Sequence, residues 1–206
     1  MAAAHRWSLL RPELATGLDI AYERYGAGGG VTSIGLFHRR LTDLIRNQVV
    51  LQAVPWSTVP RWVSTPVNLA SARSTGVELE VKGKANELLP IDAHPGQDWA
   101  LRASLAVYRS AVQGLPGPDN RLEGQQPWSL TLGFDRQRPG DPLAFGASLA
   151  YTPDYAVQQT ATRRFDQGRT RNLDAYVSWT FSREALLRLS VGNLGPVAVD
   201  TRTTVH

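Results

Sequence analysis

Apolar residues recur at every second position through most of the chain, the period of a strand with one greasy and one wet face. The clearest case is Gly76–Gly83, where Val77, Leu79 and Val81 alternate with Glu78, Glu80 and Lys82. Earlier in the chain, Leu18, Ile20 and Tyr22 alternate with Asp19, Ala21 and Glu23. Further on, Leu101, Ala103, Leu105 and Val107 alternate with Arg102, Ser104, Ala106 and Tyr108, and Trp128, Leu130, Leu132 and Phe134 with Ser129, Thr131, Gly133 and Asp135. Phe145, Ala147, Leu149 and Tyr151 oppose Gly146, Ser148 and Ala150. Leu173, Ala175, Val177, Trp179 and Phe181 oppose Asp174, Tyr176, Ser178 and Thr180, and Leu187, Leu189 and Val191 oppose Arg188, Ser190 and Gly192. Together with a segment at 31–45 these make about eight strands of roughly 8 to 12 residues, the length a tilted strand needs to cross a bilayer. The segment at 31–45 has two apolar parities, Ile34 with Leu36 and Val31 with Phe37; a β-bulge reconciles them.

The connections differ systematically in length. "GAGGG", "RPGDP" and "SREA" are short turns, whereas the links at 46–66, 113–127 and 153–172 are long. Only "KANELLPIDAHPGQD" is long where a short turn is expected. Short turns on one rim and long loops on the other is the layout of an outer-membrane barrel.

The two faces sharpen the choice. The polar face carries Asp19, Glu23, Glu78, Glu80, Lys82, Arg102, Asp135, Asp174 and Arg188. A dry core cannot hold so many charges, because each costs several kcal/mol to bury unless paired. The polar face therefore meets water or a polar element, and the other face, with Leu18, Ile20, Val77, Leu79, Val81, Leu101, Leu105, Leu130, Leu132, Leu149, Val177, Trp179 and Leu189, is expected to meet lipid. Trp99, Trp128, Tyr151, Trp179 and Phe181 fall near strand ends, where interfacial girdles form. A soluble β-barrel or sandwich is the alternative, opposed by the charges of the inner face.

Composition removes several classes. No apolar run approaches the length of a spanning helix, although 42% of the 206 residues are hydrophobic. The net charge of +4 is carried by arginine scattered through strands and loops, with lysine only at 82 and 84, so nucleic acid is not an expected partner. There is no cysteine, and His5, His38, His94 and His206 lack ligand spacing, so neither metal nor cofactor is expected. "GAGGG" lacks the GK[ST] ending of a phosphate loop and is read as a tight turn. There is no G-x-S-x-G. Glu78 and Glu80 share a strand face but have no partner acid or cleft suited to glycoside hydrolysis. No catalytic residue is expected. The N-terminal stretch is broken by His5 and Arg6 and lacks the apolar core of a secretory signal.

The segments "LRPELATGLDIAYERY", "LFHRRLTDLI", "PGPDNRLEGQQP" and "LRLSVGNL" resemble the barrel of TonB-dependent outer-membrane receptors. The most telling match is "NLASARSTGVELE", with Asn68, Ala72, Gly76, Glu78 and Glu80 in the family's N-x-x-x-A-x-x-x-G-x-E-x-E pattern. The resemblance implies an all-β, antiparallel up-and-down transmembrane barrel segment of about eight strands, part of a barrel of 22. It divides the chain into an extracellular-loop remnant at 1–16, a partial barrel at 17–194 and a tail at 195–206. The implied location is the outer membrane of a Gram-negative bacterium, and the implied cargo a ferric siderophore, cobalamin or sugar. Implied partners are outer-membrane lipid, a plug domain and further barrel strands, TonB–ExbB–ExbD acting through the plug, and the barrel-assembly machinery. The matching residues belong to the barrel alone, which leads to the expectation of a fragment without plug, TonB box or closing strand, not competent alone. A complete eight-stranded barrel acting as adhesin or structural protein is the rival.

Ligands of such receptors are held by loops and plug apices. Trp56, Arg61, Trp62, Arg121, Tyr155, Arg163, Arg164, Phe165 and Arg169 are the loop candidates, arginine pairing with anions and aromatics stacking on them. The plainer reading makes each a solvated loop residue. Glu78, Glu80, Arg102 and Arg188 are candidates for ion pairs to a plug, or for a wall facing water.

Overall fold

The computed structural model describes residues 10–26, 28–68, 71–89 and 99–205. Segment 1–9 and most of the long link after Lys84 lie outside the described residues, as do His5, His94 and His206.

Among the described residues there are thirteen strands and one helical turn: β1 (Leu14–Tyr25), β2 (Val31–Thr42), β3 (Ile45–Val54), β4 (Ser57–Asn68), β5 (Ser71–Lys84), α1 (Ala85–Leu88), β6 (Trp99–Val112), β7 (Trp128–Gln137), β8 (Leu143–Thr152), β9 (Tyr155–Gln158), β10 (Arg163–Gln167), β11 (Thr170–Thr180), β12 (Leu186–Val191) and β13 (Thr201–Val205). Eight of them form an antiparallel up-and-down sheet in the order β1-β2-β5-β6-β7-β8-β11-β12. These are the eight segments that alternate in sequence. The sheet is open, since β1 pairs only with β2 and β12 only with β11 among the described residues.

The ladders run without slippage across the sheet, so residues of like parity stack in rows. One row is Ile20, Leu36, Val77, Val107 and Trp128; the next is Tyr22, Ile34, Leu79, Leu105, Leu130 and Tyr151. Val81, Ala103, Leu132, Leu149 and Leu173 form a third. All project from one face. On β8 that face runs from Leu143 to Tyr151, roughly 27 Å along the strand. A tilt of about 40° makes that a band about 20 Å tall, close to the roughly 25 Å of an outer-membrane barrel.

The described β2 contains no bulge, contrary to the expectation from its two apolar parities. Ile34 and Leu36 lie in the apolar rows, and Phe37 lies on the polar face above Gly76. The missing side chain at Gly76 leaves room there for the Phe37 ring, which also contacts Tyr108 at a centroid distance of 5.9 Å. A large aromatic over a strand glycine covers the gap that glycine leaves. The register does shift elsewhere, between Gln52 and Val54 in the β3–β4 hairpin.

The long links contain strands of their own. β3 and β4 form a separate hairpin, and β13, β10 and β9 form a three-stranded sheet that includes the tail. The first strand begins at Leu14, and β13 lies within the last residues of the chain.

Candidate functional site

All three long links rise from one rim of the sheet, beside Thr42 and Ser71, Val112 and Trp128, and Thr152 and Thr170. Loop 113–127 folds back over the polar face at that rim. Leu122 N–H donates to Ser110 Oγ at 2.9 Å, and Gln125 Nε2 donates to Ser74 Oγ at 2.8 Å. Beneath it lies a small apolar core of Leu44, Ala72 and Val112, with Leu41, Leu115 and Leu122 packed against it.

Charge pairs join the links into one cap. Arg46 of β3 meets Glu123 of loop 113–127 at 3.3 Å. Arg164 of β10 meets Asp119 of the same loop at 2.9 Å and Asp166 at 2.9 Å. The hydrogen bond to Asp166 raises the Arg164 pKa above its usual value, with the Asp166 and Asp119 charges adding to it and burial opposing. Asn68 ties the base together: its amide donates to the carbonyls of Arg11 at 2.9 Å and Asp43 at 2.7 Å, and its oxygen accepts from Arg11 N–H.

The pattern around Asn68 thus has a structural content. Asn68 clamps the rim, Ala72 is buried in the small core, Gly76 makes room for Phe37, and Glu78 accepts the Tyr108 hydroxyl at 2.8 Å. Glu80 stands on the open polar face.

Two clefts lie in the cap among the described residues. One, of about 310 Å³, lies between the β3–β4 hairpin and the turn joining β9 to β10, and includes Arg46, Glu123, Gln159 and Arg163. Gln159 Oε1 there is buried and has no hydrogen-bond partner among the described residues. A buried acceptor in that condition costs about 1–3 kcal/mol. The other cleft, of about 400 Å³, includes Tyr155, Arg164, Asp119 and Asp166, with Asp200 and Arg202 contributed by the tail.

The loop candidates consequently fall into separate places. Arg163 borders the first cleft, and Tyr155 and Arg164 border the second. Trp56 sits exposed at the hairpin tip, Trp62 is exposed on β4, and Arg61 donates to Ser57 Oγ at 2.9 Å. Phe165 lies within β10, Arg169 is exposed just after it, and Arg121 has a buried Nε without a partner among the described residues. Arg46, Asp119, Glu123 and Gln159 were not singled out in sequence, because loop polarity alone does not show which charges meet across links distant in the chain.

The polar face of the sheet is largely self-satisfied. Arg102 pairs with Asp135, Asp135 also accepts the Tyr176 hydroxyl at 2.7 Å, and Arg188 lies 3.9 Å over the Tyr176 ring. Asp19 meets Arg39 at 3.4 Å, Glu23 accepts from Tyr25, and Asp174 receives the backbone N–H of Asn193 at 2.8 Å. Glu80 and Lys82 alone among the predicted polar-face charges have no such partner among the described residues.

The apolar face is the opposite. Leu18, Ile20 and Leu189 are 64%, 59% and 61% exposed, and Leu79, Leu132, Val177 and Trp179 are also exposed. The buried apolar residues among those described are Leu44, Val54, Ala72, Ala85, Val112, Ala156 and Val157, none of them from the apolar rows. Aromatics cluster at both rims of that face: Trp128 with Tyr151 at 5.3 Å beside the loops, and Trp99 with Phe134 and Phe145, both at 5.6 Å, beside the short turns.

No curated protein matches the chain. A family model described as TonB dependent receptor-like, beta-barrel matches residues 8–194, from before β1 to the end of β12 and just past it. That span covers the whole two-faced sheet and both clefts' main walls, and the chain belongs to the TonB-dependent receptor-like β-barrel family, whose members are transport receptors of the outer membrane.

Proposed function

We propose that the chain is a sector of a transport barrel, with its apolar face in outer-membrane lipid and its polar face lining a lumen. One observation carries this reading: the apolar rows are exposed or half-buried, and nowhere buried, across an eight-stranded sheet while the opposite face holds a network of charges. Soluble proteins rarely expose contiguous apolar patches beyond a few hundred Å². Lipid accepts such a face, and a wet lumen accepts the other.

The edges of β1 and β12 take further strands, because backbone groups left unpaired in hydrocarbon each cost several kcal/mol. In the family's full barrel of 22 strands those neighbours complete the wall. A plug domain then fills the lumen and couples to TonB–ExbB–ExbD, with Glu80 and Lys82 as the charges still open to it. The cap faces outward and admits a scarce small ligand.

Depth-dependent fluorescence tests the reading. Single-tryptophan versions of the chain, refolded together with the further strands of a full receptor barrel into vesicles containing brominated acyl chains, are expected to show strong quenching of Trp179 and little of Trp56. Heat-modifiable gel migration accompanies insertion. Soluble, monomeric β-structure without lipid, or equal quenching at both positions, overturns the proposal.

A further inference from the structure

We infer that the outward face of β2, β5 and β6, at the rim beside the cap, binds the phosphate group of an anionic lipid in the leaflet on that side. The inference rests on the reading of this face as lipid-facing and adds to it the chemistry of the lipid. The outermost apolar row is Ile20, Leu36, Val77, Val107 and Trp128. Two residues nearer the cap, the same face carries Leu18, His38, Thr75 and Arg109; two further on it carries Thr16, Arg40, Arg73 and Ala111. Burial along β5 agrees with that assignment. Ala72 and Ser74 are buried beneath loop 113–127, and the alternate residues Arg73 and Thr75 are exposed on the other side.

Three guanidinium groups thus gather on one patch. Arg40 and Arg73 are direct cross-strand partners, so their Cβ atoms stand roughly 4.5–5.5 Å apart. Arg109 lies on the next strand, diagonal to Arg73. All three are exposed, and none makes an ion pair among the described residues. The ladder positions around them on this face hold Thr16, Thr42, Ser71, Thr75 and Ala111, and no carboxylate. Arg136 and Arg171 project from the same face of the sheet, yet each has an acceptor within the protein, Asp141 at 2.7 Å and the Gly195 carbonyl. Like charges directly opposite each other in a ladder repel. An anion shared between Arg40 and Arg73 turns that repulsion into attraction.

Height on the barrel selects the anion. Two residues along a strand tilted by about 40° climb about 5 Å, so the arginines stand about 5–10 Å beyond the last apolar row. The headgroup layer adds roughly 5–8 Å to each side of the hydrocarbon. Phosphate oxygens at that level accept paired hydrogen bonds from a guanidinium, and the arginine stems lie against apolar surface below. Cargo in the lumen or under the cap meets the opposite face of the sheet and does not reach these groups.

Brominated lipids provide the test. The chain, folded with the further strands of a full barrel and keeping Trp128 or Trp179 as its sole tryptophan, is placed in phosphatidylcholine vesicles with a minor fraction of brominated phosphatidic acid or of brominated phosphatidylcholine. Trp128 ends the row beside Val107, next to Arg109, whereas Trp179 lies near the short turns. Phosphatidic acid is expected to quench Trp128 about threefold more than phosphatidylcholine does, from electrostatic enrichment at the patch. Trp179 is expected to be quenched equally by both. Combining Arg40→Gln, Arg73→Gln and Arg109→Gln is expected to abolish the preference. Arg39→Gln, which removes the neighbouring charge from the opposite face, is expected to keep it.

Stability gives a second readout. Arg73→Gln alone relieves the cross-strand repulsion and is expected to raise the denaturant midpoint in pure phosphatidylcholine, but to lower it when phosphatidic acid is present. An arginine with a structural role only shifts the midpoint in one direction in both. Equal quenching of Trp128 by the two lipids, a preference that survives the triple substitution, or midpoint shifts of the same sign overturns the inference. A preference erased by inorganic phosphate at the concentration of the lipid assigns the patch to free phosphate and overturns it too. Quenching of Trp179 separates the two failures. Trp179 quenched without a preference at Trp128 sinks the lipid-phosphate site and leaves the receptor reading standing. Trp179 unquenched sinks the lipid-facing reading beneath it.

Discussion

Tyr176 of β11 donates its hydroxyl to Asp135 of β7 at 2.7 Å across the strand that separates them, and the residue at the crossing point is Gly146. The ladders put Gly146 directly opposite both partners. A Cβ there would sit 2.5 Å from Asp135 Oδ1, 2.8 Å from Tyr176 Cε1 and 2.6 Å from the Phe134 carbonyl oxygen. The same joint recurs where Arg102 crosses Gly133, with Nε 2.5 Å from the site of a Cβ, and where Phe37 and Tyr108 cover Gly76. Long polar-face side chains tie strands together by lying flat, and glycine beneath them gives the clearance.

Gly146→Ala is therefore expected to cost about 1–3 kcal/mol, the range for forcing atoms into a filled space. The carbonyl oxygen among the clashing atoms belongs to the backbone, so rotamer changes cannot relieve it. Gly35→Ala is the contrast, since the nearest atom to a Cβ there lies 3.9 Å away. That change is expected to be neutral or to stabilise by about 0.4–1 kcal/mol through the unfolded chain. Denaturant midpoints of the lipid-inserted chains check both, and equal midpoints for the two variants would refute the joint.

The faces make a second pair of expectations. Leu132→Arg places a charge in the middle of an apolar row and is expected to cost about 2–4 kcal/mol near the bilayer midplane. Thr131→Arg places the same group on the polar face, opposite Ser104 and one strand from Glu80, and is expected to have little effect. Unfolding from vesicles measures the difference. Similar losses at both positions would remove the lipid assignment.

The cap should respond to its core more than to its ion pairs. Leu44 is 4% exposed, and Leu44→Ala is expected to cost about 2–5 kcal/mol locally. Glu123→Gln breaks the link to Arg46, but Glu123 is 40% exposed and such pairs contribute only about 0.2–1 kcal/mol. Trypsin cleavage at Arg121 is expected to accelerate strongly in the first variant and slightly in the second. The opposite ranking would mean that charge, not the apolar cluster, holds the loop down.

The sheet was legible in the sequence because its code is local. All of its eight strands but β2 alternate unambiguously by themselves, and the rows follow from matching their apolar parities across neighbours. Legibility fails where a strand's environment comes from elsewhere. β5 begins at Ser71, five residues before its alternation starts, because Ala72 and Ser74 are covered by loop 113–127 rather than by lipid or water. β3 and β4 read as a loop because of Pro55, Pro60 and Pro66. Pro60 falls in the stretch where the register shifts, so it interrupts no regular pairing there. Phe37 seemed to demand a bulge because the emptiness above Gly76 lies on the neighbouring strand. The clefts were illegible for the same reason: Glu123 and Asp119 acquire their roles only when loop 113–127 meets two other links.

Asp141, in the turn between β7 and β8, gives the pH expectation. Its carboxylate accepts the Leu143 backbone N–H at 3.0 Å and pairs with Arg136 at 2.7 Å. The backbone bond first, and Arg136 second, hold its pKa below the usual carboxylate value. A carboxyl that is more acidic folded than unfolded stabilises the fold once pH exceeds its unfolded value, about 3.9. That contribution is retained through neutral pH and is lost as pH falls through the lower, folded value. The turn is therefore expected to be insensitive between pH 5 and 8, a window set by that same model value, and to loosen in acid. Exchange of the Leu143 amide reads this directly: slow and flat near neutrality after correction for intrinsic rates, faster in acid. Asp141→Asn keeps the shape but removes the charge, and its Leu143 exchange is expected to lose the acid step. An acid step of unchanged size in that variant would assign it to another group.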